Sequence, residues 1–196
     1  MPLVDRADTL LVVVDTQPGF FDHAQMSDEA RAESAATVDR IRWLAGMATL
    51  LDIPAVVTEE GPDREGGTDP VVLERLATQT PVIAKSTFSL SKSAEVMDAI
   101  EATRRRTAVL VGYETDVCVA QSAVELRDLG VRVVVVEDAT YSGGRVNHER
   151  GLARMAQVGV ERNHCKGLIF EWLRTVDEAM EKWGAATKAF GPAPFL

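Results

Sequence analysis

Short apolar segments alternate with amphipathic segments along the chain, and this alternation limits the possible folds more than any other feature. Residues 9–15 form an unbroken apolar run that ends in an acid, which is typical of a strand buried on both faces of a parallel sheet. The same reasoning predicts strands at 53–58, 82–85, 108–112, 131–136 and 160–164, and helical segments at 27–51, 71–77, 92–103, 115–129, 146–157 and 167–182. We therefore expect residues 1–196 to form a single α/β domain with a doubly wound, Rossmann-like parallel sheet of about six strands flanked by helices.

The composition excludes several classes of protein. A formal net charge of −9 disfavours nucleic acid as a partner, because phosphate backbones repel an acidic surface. The apolar runs are too short to cross a bilayer, so no membrane association is expected. The start of the chain lacks the pattern of a signal peptide, and two cysteines do not suggest a disulfide framework. A cytoplasmic protein is expected.

Three reactive side chains fall at the predicted carboxyl ends of strands. Asp15 ends the first strand, Lys85 ends the third, and Cys118 lies in the turn after the fourth. Ligands of doubly wound sheets bind at this edge, near the switch in strand order. We therefore expect an acid, an amine and a thiol to meet in one cleft.

This set of groups is chemically coherent. A thiol attacks a carbonyl as the thiolate, which a helix N-terminus and the Lys85 ammonium would favour at Cys118. Asp15 would accept the thiol proton and return it to a leaving amine. Each residue also has a simpler interpretation, since Cys118 could be a buried apolar residue, Lys85 a lysine reaching solvent and Asp15 a capping residue.

Three motifs resemble those of the isochorismatase-like cysteine hydrolases, a family that includes nicotinamidases and other amidases. Residues 13–21 (Val-Val-Asp-Thr-Gln-Pro-Gly-Phe-Phe) are similar to the opening D-x-Q-x-x-F segment of the family. Residues 85–89 resemble its lysine segment, and residues 112–119 (Gly-Tyr-Glu-Thr-Asp-Val-Cys-Val) resemble its nucleophile turn. The resemblance covers nearly the whole chain.

The resemblance implies a role for each residue. Cys118 would be the nucleophile, Asp15 the general base and acid, and Lys85 the stabilising cation. The family's cis non-proline bond would lie between Tyr113 and Glu114. The backbone N–H groups of Glu114 and Cys118 would then form the oxyanion hole. Members are usually oligomeric, so a homo-oligomer is expected.

The chain departs from nicotinamidases in the segment after the second strand. That segment holds Glu59 and Glu60 but no histidine, and the three histidines of the chain, His23, His148 and His164, are scattered. We therefore expect neither a metal site nor nicotinamidase activity. A G-x-G-x-x-G turn is missing after the first strand, so no nucleotide cofactor is expected either.

The candidate substrate contacts surround the three reactive residues in the predicted topology. Glu59 could line the pocket beside Lys85, or could be a solvated loop acid. Cys165 follows a weak terminal strand and is interpreted as structural. The main candidate contacts are Gln17, Phe20, Glu59, Phe88 and Tyr113.

The leading functional hypothesis is hydrolysis of an amide-type carbon–nitrogen bond of a small molecule through an acyl-cysteine intermediate. One alternative is hydrolysis of a vinyl ether, as in isochorismatase itself; the presence of Cys118 counts against it, because that chemistry needs no thiol. Another is a non-catalytic redox-sensing or scaffold protein that keeps the fold and a reactive thiol.

Overall fold

Six parallel strands form the centre of the protein in the computed structural model, which describes residues 2–195. Their order across the sheet is β3-β2-β1-β4-β5-β6, and all neighbouring pairs are parallel. The predicted doubly wound α/β fold is therefore confirmed. The strands are β1 (Thr9–Val14), β2 (Ala55–Glu60), β3 (Val82–Lys85), β4 (Thr107–Tyr113), β5 (Arg132–Tyr141) and β6 (Glu161–Asn163).

Helices cover both faces of this sheet. Within the described residues, none of them is long and apolar enough to cross a bilayer. The helices are α1 (Pro18–Phe21), α2 (Asp28–Leu50), α3 (Pro62–Glu65), α4 (Pro70–Arg75), α5 (Ala94–Ala102), α6 (Ala120–Asp128), α7 (Arg145–Gln157), α8 (Cys165–Leu173) and α9 (Val176–Phe190).

The alternation of side chains along the central strands divides the core into two layers. Leu11 and Val13 of β1 pack on the layer that contains residues of α2, α4, α8 and α9. Leu10, Val12 and Val14 point to the opposite face and pack with residues of α5, α6 and α7. All six residues of β1 are buried, as the unbroken apolar run predicts for a strand covered on both faces.

The direction of the chain across the sheet reverses between β1 and β4. From β1 the chain adds β2 and β3 on one side, and from β4 it adds β5 and β6 on the other. Gly112, with φ +116°, lies at this junction, and a Cβ atom there would come 1.9 Å from the carbonyl oxygen of Val14. Only glycine allows β1 and β4 to approach this closely at their carboxyl ends.

Two strands continue beyond their predicted ends. Glu59 and Glu60 were expected in a loop, but they extend β2 and pair with Ala84 and Lys85 of β3. Strand β5 was expected to end at residue 136, but it continues to Tyr141 after a register shift that pairs Gly112 with Thr140. Pairing with neighbouring strands outweighs the polar local sequence in both places.

The helix predicted over residues 167–182 is two helices. The chain turns at Arg174, which has φ +58°, between α8 and α9. Thr175 then caps α9, since its side chain accepts a hydrogen bond from the N–H of Glu178. The sequence Thr-Val-Asp-Glu at 175–178 carries this capping signal, which periodicity alone overlooks.

Candidate active site

The three reactive residues meet at the carboxyl edge of the sheet, where the chain reverses direction. Asp15 follows β1, Lys85 ends β3, and Cys118 lies in the helical turn after β4. Lys85 Nζ is 2.6 Å from Asp15 Oδ2 and 3.6 Å from Cys118 Sγ. The structure thus brings together the acid, the amine and the thiol that the sequence places at strand ends.

Thr58 holds both the backbone and the side chain of Asp15. Its backbone N–H donates to the carbonyl oxygen of Thr58 at 3.0 Å, and the Thr58 hydroxyl donates to Asp15 Oδ1 at 2.8 Å. Burial raises the pKa of Asp15 above its ordinary value, while the charge of Lys85 and the hydroxyl of Thr58 oppose that rise. Sequence reasoning missed Thr58, although a polar residue at the end of a central strand beside β1 was a usable signal.

Lys85 is completely enclosed at its charged end. Its side chain has no exposed surface, and Nζ donates to the carbonyl oxygen of Thr87 at 3.0 Å in addition to its contacts with Asp15 and Cys118. A buried ammonium needs such partners, because burial without them costs several kcal/mol, of order 3–5. The backbone after β3 therefore fixes the cation between the carboxylate and the sulfur.

Cys118 is buried, with 4% of its surface exposed, in a π-helical turn that spans Thr115–Val119. Burial, followed by the negative charge of Asp15, raises the pKa of the Cys118 thiol to about 12, although Lys85 opposes the shift. Lys85 thus shifts the pKa in the expected direction, but burial and the charge of Asp15 outweigh it. A base close to the sulfur would therefore assist removal of the thiol proton.

The backbone before Cys118 takes an unusual path. The peptide bond between Tyr113 and Glu114 is cis, at the position that the family resemblance indicates. The carbonyl oxygen of Glu114 then accepts hydrogen bonds from the N–H groups of Val117 and Val119, each at 3.1 Å. These bonds close the turn that carries the thiol. The use of the Glu114 and Cys118 N–H groups as an oxyanion hole stays a prediction.

Helix α7 supports this turn from behind. A Cβ atom on Gly151 would lie 2.7 Å from the Asp116 Cα atom, so the helix backbone packs directly on the turn. One turn earlier on α7, His148 Nδ1 is hydrogen-bonded to the Thr115 hydroxyl at 2.9 Å. Ser142 donates to Asp116 Oδ1 at 2.6 Å. Sequence reasoning missed His148 and Gly151, since nothing local marks a helix as the support of a distant turn.

Gln17 and Glu59 hold the loops around the site. The Gln17 amide donates to the carbonyl oxygens of Glu60 and Gly66, and its Oε1 accepts from the Glu60 N–H at 2.7 Å. Glu59 Oε1 accepts from both the N–H and the hydroxyl of Thr68, at 2.7 and 2.8 Å. Both side chains are therefore committed to the protein itself, and their predicted substrate contacts stay predictions.

The three aromatic candidates occupy different environments. Tyr113 is fully buried in the layer of α2, where its hydroxyl donates to the carbonyl oxygen of Ser34 at 2.9 Å. Phe88 is 54% exposed in the segment after β3. Phe20 is half-buried in α1 and lines a cavity of about 430 Å³, which also includes Glu114. Of the three, Phe20 is the one that lines a cavity next to the nucleophile turn.

The two acids at the end of β2 do not form a metal site with their neighbours. Glu59 binds Thr68, and Glu60 Oε1 accepts from Arg64 at 2.9 Å. Within residues 2–195, no group of three or more His, Cys, Asp or Glu side chains is arranged to hold a metal ion.

Comparison with known proteins places this geometry in a family. Residues 9–162 match the Isochorismatase domain. Isochorismatase domain-containing protein 2 of Bos taurus is 35% identical over 126 residues, which cover 64% of this chain and 59% of that protein. The chain thus matches about three fifths of the length of the curated relatives.

Two solved structures share this fold over almost the full length of the chain. YcaC from Pseudomonas aeruginosa, determined with hexane-2,5-diol and covalent acrylamide, has a TM-score of 0.86 and 25% identity, covering 98% of this chain and 93% of its own. The MAR1 ribonuclease of Caenorhabditis elegans has a TM-score of 0.83 and 25% identity, covering 100% and 97%. With the domain match, these likenesses establish that the chain belongs to the isochorismatase family and has its hydrolase fold.

Proposed function

We propose that this protein hydrolyses an amide-type carbon–nitrogen bond of a small molecule through an acyl-cysteine intermediate. One observation carries the proposal: a fully buried Lys85 ammonium contacts both the Asp15 carboxylate and the Cys118 sulfur. A thiol, a base and a cation in mutual contact are the groups that nucleophilic attack on a carbonyl requires.

In the first half of the reaction, Asp15 accepts the proton of the Cys118 thiol. The sulfur attacks the carbonyl carbon, and the negative charge moves to the carbonyl oxygen, where the N–H groups of Glu114 and Cys118 would hold it. When the carbon–oxygen double bond re-forms, the carbon–nitrogen bond breaks. Asp15 returns its proton to the nitrogen, and the amine leaves an acyl-cysteine thioester behind.

In the second half, a water molecule attacks the thioester carbon and gives a proton to Asp15. The carbon–sulfur bond breaks, the acid product leaves, and the proton returns from Asp15 to Cys118. Lys85 stabilises whichever of its two neighbours is negative. The cycle needs no cofactor.

The resting ionisation supports this sequence of proton transfers. The pKa of Cys118 is raised to about 12, so the thiol keeps its proton until a base removes it. Asp15 is the base within reach, and its own raised pKa brings it closer to the value of an efficient proton carrier.

The proposed substrate is a small molecule rather than a nucleic acid. Although the C. elegans neighbour is named a ribonuclease, a net charge of −9 on this chain opposes binding of RNA. A cytoplasmic location and a homo-oligomer also remain proposals. The exposed apolar side chains of Val176, Phe170 and Met180 support the second, and light scattering of the purified protein would measure it.

A panel of amides, with product analysis and mass spectrometry of the quenched protein, tests the proposal. We expect an acyl adduct on Cys118 and complete loss of turnover in Cys118→Ala. Cys165→Ala is the matched control, because Cys165 is the other buried free thiol and lies outside the site. Full turnover by Cys118→Ala would contradict the proposal. Turnover of a vinyl ether by that variant would favour isochorismatase chemistry, and peroxide sensitivity without any turnover would favour a redox sensor.

A further inference from the structure

The cavity beside the nucleophile turn is placed to receive part of a substrate. It has a volume of about 430 Å³ and is lined by Glu114, whose backbone N–H is the proposed oxyanion donor. Phe20, on the segment that follows Asp15, forms another part of its wall. The cavity therefore adjoins the start of the turn that carries Cys118.

The charged residues of the cavity wall are mostly acids. Glu65 and Glu114 line it, and within the described chain neither lysine nor arginine is part of the lining. His23 lies at the exposed rim, and Arg64 Nε is 3.9 Å from Glu65 Oε1 on a side chain that is 69% exposed. The cavity beside α7 differs, because three arginines line it together with four acids.

The Glu65 carboxylate occupies its position because residue 19 is glycine. A Cβ atom on Gly19 would come 2.1 Å from Glu65 Oε2, so any other residue would displace the carboxylate. Glu114 on the same wall is half-buried. Burial, then the charge of Asp116 and more weakly that of Glu65, raise the pKa of Glu114, while the Gly143 N–H and His23 oppose the rise. Two carboxylates that repel each other across a cavity would be stabilised by a cation between them.

Two apolar side chains share the rest of the wall with Gln25 and two glycines. Phe20 and Met26 are partly buried and face the same space. Large apolar side chains beside polar groups are typical of a site for an organic ligand rather than for a hydrated ion. An aromatic face and a thioether both accommodate alkyl groups next to a positive charge.

From these observations we infer that the amide hydrolysed at Cys118 carries a positively charged organic group, such as an ammonium or guanidinium, which binds between Glu65 and Glu114. The inference rests on the proposed function, because it assigns a substrate class to the same site. It also opposes an anionic substrate such as a dicarboxylate, which both glutamates would repel.

Charged thiol reagents test the inference without knowledge of the substrate. Aminoethyl and sulfonatoethyl methanethiosulfonate each form a disulfide with a thiolate and release methanesulfinate, but they differ in charge. We expect the cationic reagent to label Cys118 at least about tenfold faster than the anionic one at low salt, and the ratio to shrink as salt is added. Peptide mass spectrometry separates Cys118 from Cys165.

Variants of the two glutamates test whether the difference in labelling rate arises in the cavity. Glu65→Gln and Glu114→Gln should each reduce the ratio of the two labelling rates about threefold, because each removes one charge a few ångströms from the reagent. Glu181→Gln is the control, since Glu181 is exposed on α9, and it should keep the ratio of the natural protein.

Failure of this inference and failure of the proposed function would give different results. Equal labelling by the two reagents, no labelling by the cationic one, or a ratio that neither glutamate variant changes would overturn the inference and leave the hydrolytic mechanism intact. Amide turnover that survives Cys118→Ala would instead overturn the proposed function.

Discussion

The Lys85 ammonium lies 2.6 Å from Asp15 Oδ2, and neither side chain has any exposed surface. Two opposite charges buried in contact cannot be removed singly without leaving the other uncompensated. The same ammonium touches the Cys118 sulfur at 3.6 Å. We therefore expect the Lys85–Asp15 pair to affect both the stability of the protein and the proposed reaction. The two effects can be measured separately.

Replacing Lys85 with Met, which has a similar shape and no charge, should reduce both the stability of the protein and its turnover. We expect the free energy of unfolding to fall by about 3–5 kcal/mol, because Asp15 is left buried without a counter-ion. We expect turnover to fall by at least about 100-fold, because the thiolate loses its cation. Urea unfolding and steady-state kinetics measure the two effects. Lys92→Met, which removes an exposed lysine paired with Glu125, should change neither; a stable Lys85→Met protein would contradict the first expectation.

Replacing Asp15 with Asn should separate thiol acidity from catalysis. The negative charge of Asp15 is one of the causes that raise the pKa of Cys118 to about 12. Without that charge, the thiol should ionise at lower pH, so the rise of alkylation rate with pH should begin earlier. Turnover should nevertheless fall by about 10²–10⁴-fold, because the general base is gone. Iodoacetamide labelling across a pH series measures the first effect, and an unchanged or higher onset would contradict it.

Replacing Thr58 with Val should move the acid limb of the pH–rate profile. The Thr58 hydroxyl bond to Asp15 Oδ1 favours the carboxylate and lowers its pKa. Removing the bond raises the pKa of Asp15, so the carboxylate is protonated, and activity lost, at a higher pH as the solution is acidified. The profile of kcat/KM reports this change. Thr140→Val is the control, since Thr140 is equally buried but bonds to the carbonyl oxygen of Glu137; equal shifts in both variants would contradict the assignment.

Gly151→Ala should disturb the nucleophile turn from behind. The added methyl group would lie 2.7 Å from the Asp116 Cα atom, so α7 or the turn must move. We expect a loss of stability of about 1–3 kcal/mol and a fall in kcat larger than the change in KM. Gly184→Ala on α9 meets nothing within 4 Å and should stabilise the protein by up to about 1 kcal/mol. Similar thermal shifts in the two variants would argue against close packing at Gly151.

The sequence predicts the parts of the site that lie at the ends of apolar strands. Asp15, Lys85 and Cys118 were identifiable because a parallel sheet brings its carboxyl ends to one edge. The continuation of β2 through Glu59 was not predictable from local polarity. Pairing with β3 and the Thr68 bonds to its carboxylate stabilise that stretch, and both depend on residues distant in sequence.

The direction in which Lys85 shifts the pKa of Cys118 was predictable from the sequence, but the net direction of the shift was not. The sequence indicates which charged groups are near the thiol, and Lys85 is indeed one of them. It does not indicate how deeply the sulfur is buried, and desolvation is the largest cause of the raised pKa. The support from His148 was missed for a similar reason, since its bond to Thr115 joins residues 33 apart in the chain.

The strand order has a consequence for how activity appears during folding. The groups around the sulfur come from β1, β2, β3 and the turn after β4, which are separated by long stretches of chain but adjacent in the sheet. Non-local pairings of this kind form late, because loop closure must precede them. In a refolding experiment, catalytic activity should therefore return after most of the helical circular dichroism signal. Enzyme assays would then report the docking of strands β1 to β4. A circular permutant with ends between β2 and β3 would change that delay while keeping the same native site.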